Sequence, residues 1–311
     1  RICSSCWLVT QTIKKITKTR CGCHRDGYET ITGDPSKCTY RLQDIVVSIK
    51  SLPFRLTPPG ADIRGDVWTT ADTMADTAIL VCHGFKGFKD WGFFPYLCEQ
   101  LTQRLDITVV SFNFDGSGVR ETDFDDLSAF AHNTFSRELW DLEAILDGLA
   151  YGKLGDLTLP SISRFGLLGH SRGGATCLLK AGPRAPVRAV VTWAAISSVT
   201  RYEGYREIWE SGETVIIPNA RTGQDMLLDR NVLDDMRANR ERLDVLASAA
   251  SLTIPCAVIH GSEDEAVPFG DAEEITHAIG NSAQLVRIMG AGHTFGAIHP
   301  FEGTTPELET A

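Results

Sequence analysis

A serine, a run of acids and a histidine occur in that order along the chain, each on a turn that follows an apolar stretch. Ser171 lies in Gly169-His170-Ser171-Arg172-Gly173-Gly174, between Phe165-Gly166-Leu167-Leu168 and the helix-forming Ala175-Thr176-Cys177-Leu178-Leu179-Lys180. A serine with glycine two residues away on both sides, leaving a strand and entering a helix, has the pattern of a nucleophile elbow. So sharp a turn forces a strained backbone on the serine. It also brings strand and helix so close that side chains at 169 and 173 would collide. The strain lifts the hydroxyl clear of the fold. The following helix points its partial positive charge at the oxygen that becomes anionic during acyl transfer. The plain alternative is a strand-to-helix turn that happens to contain serine, so the partners decide.

A serine hydroxyl is a weak nucleophile and needs a base to take its proton, and that base needs a carboxylate to orient it. Downstream, Pro255-Cys256-Ala257-Val258-Ile259-His260-Gly261 has a buried-strand pattern and runs into a loop carrying Glu263, Asp264 and Glu265, then Val267-Pro268. Further on, the strand pattern Leu285-Val286-Arg287-Ile288 leads into Met289-Gly290-Ala291-Gly292-His293-Thr294-Phe295-Gly296. The spacing leaves room for two strand-helix units and an insertion before the acids, and for one helix and one strand before His293. Both can return to the same sheet edge. Upstream, Ala78-Ile79-Leu80-Val81-Cys82 ends in His83-Gly84-Phe85-Lys86-Gly87-Phe88, a loop able to supply a backbone N–H, that of Phe85, to an oxyanion hole. The other donor is the N–H of Arg172, next to the serine. His299 is a rival base, but the glycines at 290 and 292 favour His293. His83 belongs to the oxyanion loop and is expected to hydrogen-bond locally, His170 sits beside the nucleophile without taking its proton, and His260 ends a strand.

These motifs together resemble the α/β-hydrolases, in particular the serine carboxylesterase and dienelactone-hydrolase-related branch, over roughly residues 42 to 300. The resemblance implies Ser171 as nucleophile, Asp264 as acid and His293 as base, acting on an ester through an acyl-serine intermediate with no metal or organic cofactor. Dienelactone hydrolases proper use cysteine where this chain has Ser171, so esterase is the better label. Prolyl-oligopeptidase relatives share the triad, but their usual propeller has no room here. A silent binding protein on this fold would be expected to have lost a triad member, and none is missing.

The elements that must position these residues alternate strand and helix, which predicts an α/β fold with a mostly parallel central sheet and helices on both faces. Ile45–Ile49 and Ile63–Trp68 form an antiparallel edge around the turn Pro58-Pro59-Gly60. A helix runs from about Phe93 to Leu105, and another carries Leu139, Leu142, Ile145, Leu146 and Leu149. The glycine-rich loop Asn113–Gly118 lacks the lysine and spacing of a phosphate-binding loop. After Val187–Trp193 the alternation breaks, and residues 197–250 are expected to form a small cap with a polar helical stretch from Asp225 to Leu246. Arg237, Arg240 and Arg242 alternate there with acids as a solvated face. Aromatic residues near the oxyanion loop and in the cap, Phe88, Trp91, Tyr205 and Trp209, are the candidates to line a narrow substrate pocket. After His293 the relatives place a final helix; the short stretch that follows here is expected to be either a very short helix or a truncated one.

Two parts are expected: a poorly specified extension over 1–41 and the catalytic domain over 42–311. The 311 residues carry 40 acids against 30 lysines and arginines, a formal net charge of −10, which argues against a nucleic-acid partner. No apolar run reaches the length of a membrane span. The opening from Arg1 lacks the apolar core of a signal peptide, so a cytoplasmic protein acting on a small-molecule ester is expected, with no oligomeric state implied. Of nine cysteines, Cys82, Cys98, Cys177 and Cys256 fall on apolar patterns and read as reduced, buried residues. Cys3, Cys6, Cys21 and Cys23 could offer thiolates to zinc, but Cys21 and Cys23 are too close for the usual two-residue knuckle.

Overall fold

The computed structural model describes residues 48–70, 76–121, 123–182 and 185–311. The extension over 1–41, its cysteines and Ile45–Val47 lie outside the described residues. The strands are β1 (Ile49–Leu56), β2 (Ile63–Thr70), β3 (Thr77–Cys82), β4 (Thr108–Asn113), β5 (Lys153–Leu154), β6 (Leu157–Thr158), β7 (Arg164–His170), β8 (Val187–Trp193), β9 (Val215–Asn219), β10 (Gln224–Leu228), β11 (Cys256–Gly261) and β12 (Ala283–Ile288). The helices are α1 (Phe94–Leu105), α2 (Leu127–Ala131), α3 (Phe135–Ala150), α4 (Arg172–Lys180), α5 (Arg206–Glu210), α6 (Asn231–Ala238), α7 (Val245–Ala250), α8 (Phe269–Ile279) and α9 (Pro306–Thr310).

Eight strands form one sheet in the order β1-β2-β4-β3-β7-β8-β11-β12. From β4 to β12 every neighbouring pair is parallel, and β2 runs antiparallel to both β1 and β4. Strands buried on both faces need apolar residues throughout, and all six residues of β3 are buried. The two-residue period sorts them: Ala78, Leu80 and Cys82 pack into one core with α3 and α4, while Ile79 and Val81 pack into the other with Phe93, Phe94 and Cys98. Parallel strands place all their C-terminal ends at one edge, where an α/β sheet carries its ligands. The loops after β3, β7, β11 and β12 carry Phe85, Ser171, Asp264 and His293 to that edge.

Between β8 and β11 the region expected as a cap departs from the sequence reading in one respect. Gln224–Leu228 is a strand paired antiparallel with β9, not the start of a helix. Its burial alternates, with Met226 and Leu228 inside and Asp225 and Leu227 exposed, and Gly223 turns the hairpin at φ 71°. Helix begins only at Asn231, and Arg237, Arg240 and Arg242 are exposed. α7, at the end of this region, packs against α4 and α8 of the main domain. The final helix α9 is five residues long.

Candidate active site

Ser171 adopts φ 56°, ψ −121°, a backbone that a side chain tolerates only when the surroundings enforce it. Its own N–H donates to the carbonyl of Trp193 at the end of β8, at 2.8 Å. A Cβ at Gly169 would lie 2.3 Å from the Gly173 carbonyl oxygen, and one at Gly173 only 2.4 Å from the carbonyl oxygens of Cys82 and His83. The elbow is thus pressed against the end of β3. A Cβ at Gly84 would lie 2.9 Å from the Ser171 Cβ, so the loop after β3 and the Ser171 turn are in direct contact. The N–H groups of Phe85 and Arg172 have no acceptor among the described residues.

Asp264 is buried and accepts from His293 Nδ1 at 2.8 Å through Oδ2. Its other oxygen accepts from the N–H groups of Ala266 and Val267, at 2.9 and 2.8 Å. His260, fully buried behind it, places Nε2 2.9 Å from the Val267 carbonyl and 3.3 Å from Asp264 Oδ2. Burial pushes the Asp264 pKa up, but the hydrogen bonds from His260, His293 and the Val267 N–H outweigh it and hold the carboxyl well below its usual range. Asp264 therefore stays an anion beside the imidazole. Glu263 and Glu265 make no hydrogen bond or ion pair with His293 among the described residues.

Two more histidines hold the loops. His170 Nε2 donates to the His293 carbonyl at 2.9 Å, with the two rings 4.7 Å apart. Burial, and then the His293 imidazole, lower the His170 pKa to about 3. His83 binds the Gly84 carbonyl through Nδ1 and receives the Phe114 N–H at Nε2. Burial lowers its pKa to about 4, and both rings are neutral at ordinary pH. His299 is not brought to the site: it receives the Gly92 N–H and packs between Phe88 and Trp91.

Ser171 and His293 line a common cavity of about 450 Å³ with Phe85, Lys86, Arg172, Ile196, Arg201, Tyr202, Tyr205, Ile217, Ala266 and Val267. Of the four aromatic residues expected there, the structure brings only Tyr205. Phe88 is buried beside Phe124 and Phe130, Trp91 stacks on His299, and Trp209 is buried with its indole N–H donated to the Leu228 carbonyl. The turn closed by the Gly87 N–H on the Gly84 carbonyl carries the chain away from the cavity before Phe88 and Trp91 are reached. Trp209 instead anchors α5 to the cap hairpin.

Sequence reasoning also missed Glu138. Arg172 is buried with its guanidinium 3.9 Å from the centre of the Phe135 ring and its Nε 2.8 Å from Glu138 Oε1. Glu138 accepts in addition from Asn133 and Thr176, at 2.8 and 2.9 Å. Burial favours a neutral guanidinium, and the Glu138 carboxylate overrides it. The signal was present: Glu138 sits on the apolar face of α3 that bears Leu142, Ile145 and Leu149.

Among the described residues no group of three histidines, cysteines or carboxylates is placed to hold a metal, and no helix is long and apolar enough to cross a membrane. No protein of curated function matches the sequence. Solved structures share the fold. Est1E from Butyrivibrio proteoclasticus superposes with a TM-score of 0.55 at 18% identity, covering 78% of this chain and 91% of its own. The esterase domain of a Rhodothermus marinus protein gives 0.54 at 19% identity, covering 80% and 91%. Pyrococcus horikoshii acylaminoacyl peptidase gives 0.57 at 18% identity, covering 84% of this chain but 39% of that one. The alpha/beta hydrolase family model matches residues 79–306. With that match over most of its length, on a sheet of this order and with this loop arrangement at its edge, the chain belongs to the alpha/beta hydrolase family.

Proposed function

We propose that the protein is a serine carboxylesterase, hydrolysing short carboxylic esters through an acyl-serine intermediate. The observation that carries the reading is the Asp264–His293 hydrogen bond at 2.8 Å, facing the cavity that His293 shares with the strained Ser171. His293 takes the Ser171 proton as the oxygen attacks the ester carbonyl, and Asp264 stabilises the imidazolium that results. The N–H groups of Phe85 and Arg172 receive the oxyanion. The alcohol leaves with the proton from His293. Water, deprotonated by the same imidazole, then releases the acid and restores the serine.

The cavity is within the size range of small-molecule sites, and its wall of Phe85, Ile196, Tyr202 and Ile217 suits a short acyl chain. Each further methylene that fits gains about 0.8 kcal/mol, whereas one forced against a ring costs more. Acyl lengths of about C2 to C6 are expected to be turned over best. A panel of p-nitrophenyl esters and the matching anilides, assayed on the wild type and Ser171→Ala, tests this. Ester turnover should vanish in the variant with its circular dichroism unchanged. Retained turnover would remove Ser171 from the mechanism. Anilide turnover exceeding ester turnover would make the protein a peptidase.

A further inference from the structure

The cavity in front of Ser171 holds more positive charge than ester hydrolysis needs. Lys86 and Arg201 line it, together with Arg172, whose guanidinium is buried, and no aspartate or glutamate does, in a chain whose formal net charge is −10. Arg172 is already neutralised by Glu138. Lys86 and Arg201 form no ion pair among the described residues. Arg201 Nη2 donates to the Ala266 carbonyl at 2.8 Å. That bond anchors the guanidinium on the loop bearing Asp264 and leaves its charge uncompensated.

Lys86 is held there at a cost. It has φ 55° and is the third residue of the turn closed between Gly84 and Gly87, a position where positive φ is normally given to glycine. A lysine kept in strained backbone at the mouth of the site is accounted for if its ammonium binds something. Two unpaired cations bordering one cavity also concentrate positive potential there against the negative surface elsewhere.

We infer that the preferred substrate carries a carboxylate at a distance from the ester bond that is cleaved, and that Lys86 and Arg201 bind this carboxylate while Ile196, Ile217 and Val267 receive the carbon chain between. The inference rests on the ester-hydrolase reading and names its substrate class: monoesters of short dicarboxylic acids and related half-esters. Water and half-ester give alcohol and the second carboxylic acid, with no co-reactant.

The test compares monomethyl glutarate with methyl glutaramate, which has the same shape but an amide in place of the free carboxylate. p-Nitrophenyl acetate serves as a neutral control. In wild type at low salt, kcat/KM for the acid should exceed that for the amide by about three- to tenfold, the range expected for two partly exposed charge contacts. The ratio should fall towards one in Lys86→Gln/Arg201→Gln and in 0.5 M salt, and survive in Arg201→Lys. Both substrates are read in the same variant, so a general loss of competence cancels. A wild-type ratio of one or less, or a raised ratio that the double substitution leaves intact, overturns the anion site while p-nitrophenyl acetate turnover still supports an esterase. If all three esters are inert, the ester-hydrolase reading falls, and the inference with it.

Discussion

Two carboxylates lie near the Ser171 turn, one paired with an imidazole and the other with a guanidinium, and their surroundings differ. Asp264 faces an imidazole that remains partly open to the cavity, while Glu138 faces a guanidinium sealed beneath Phe135. The first pair has a partner whose protonation can change during a reaction. The second cannot change, because an arginine does not give up its proton. Two similar contacts near one serine are therefore suited to different work: the first to passing a proton, as proposed above, and the second to fixing the start of α4. The difference lies in what the base can release and whether substrate can reach it.

The strongest way to break this contrast is Asp264→Asn. It should lower kcat about 10⁴-fold by leaving His293 in the wrong tautomer. Glu263→Gln and Glu265→Gln should stay within about tenfold of wild type, and a larger loss at either would reassign the acid. In the second pair, Glu138→Ala should act on stability first. Stranding a buried guanidinium typically costs about 3–5 kcal/mol, read as a lower urea midpoint. A variant of native stability would mean that Arg172 is not sealed as described.

The buried neutral histidines extend the comparison to acid pH. The unfolded chain protonates His83 near its ordinary value of 6.5, whereas the folded chain resists until about 4. Between those values the unfolded state binds more protons, so stability falls as pH drops through that window, by up to about 3 kcal/mol from this one group. His170 acts in the same direction down to about 3. Asp264 adds a loss as pH falls below the usual carboxylate range, because its folded pKa is the lower one. Urea midpoints measured from pH 7 to 4.5 should slope less steeply in His83→Gln than in wild type, and equal slopes would show that His83 is already charged in the fold. The smallest effect is expected at His170. His170→Ala removes one hydrogen bond to the His293 carbonyl, worth about 1 kcal/mol, and should lower kcat several-fold while KM stays within a factor of two.

The parts of the site legible in the sequence are those where geometry leaves few residue choices. Gly169, Gly173 and Gly84 stand where a Cβ would strike backbone or Ser171 itself, so the Ser171 turn and the loop after β3 announce themselves. β3 is apolar throughout because both its faces are covered. The cap hairpin was hidden because a five-residue strand of mixed polarity has too short a period to stand out from a charged helix. The aromatic residues misled for another reason: apolar bulk signals burial without saying which surface is covered, and Phe88, Trp91 and Trp209 meet core or one another instead of the cavity. Glu138 was readable as a charge on an apolar face, but its partner, 34 residues on in the chain, becomes evident only when α3 and α4 are packed together.

The close approach of Gly173 and Gly84 to their neighbours also bears on the order of assembly. The Ser171 turn keeps its strained backbone only while the end of β3 lies beside it, with Cys82 opposite Gly169, and those segments are far apart in sequence. Such long-range contacts are made late. During refolding, secondary structure and even much of the core can return before the serine is seated. Recovery of active-site labelling by an organophosphate should therefore lag behind the far-ultraviolet signal, which would make reactivity of Ser171 a clock for the final docking of two strand ends.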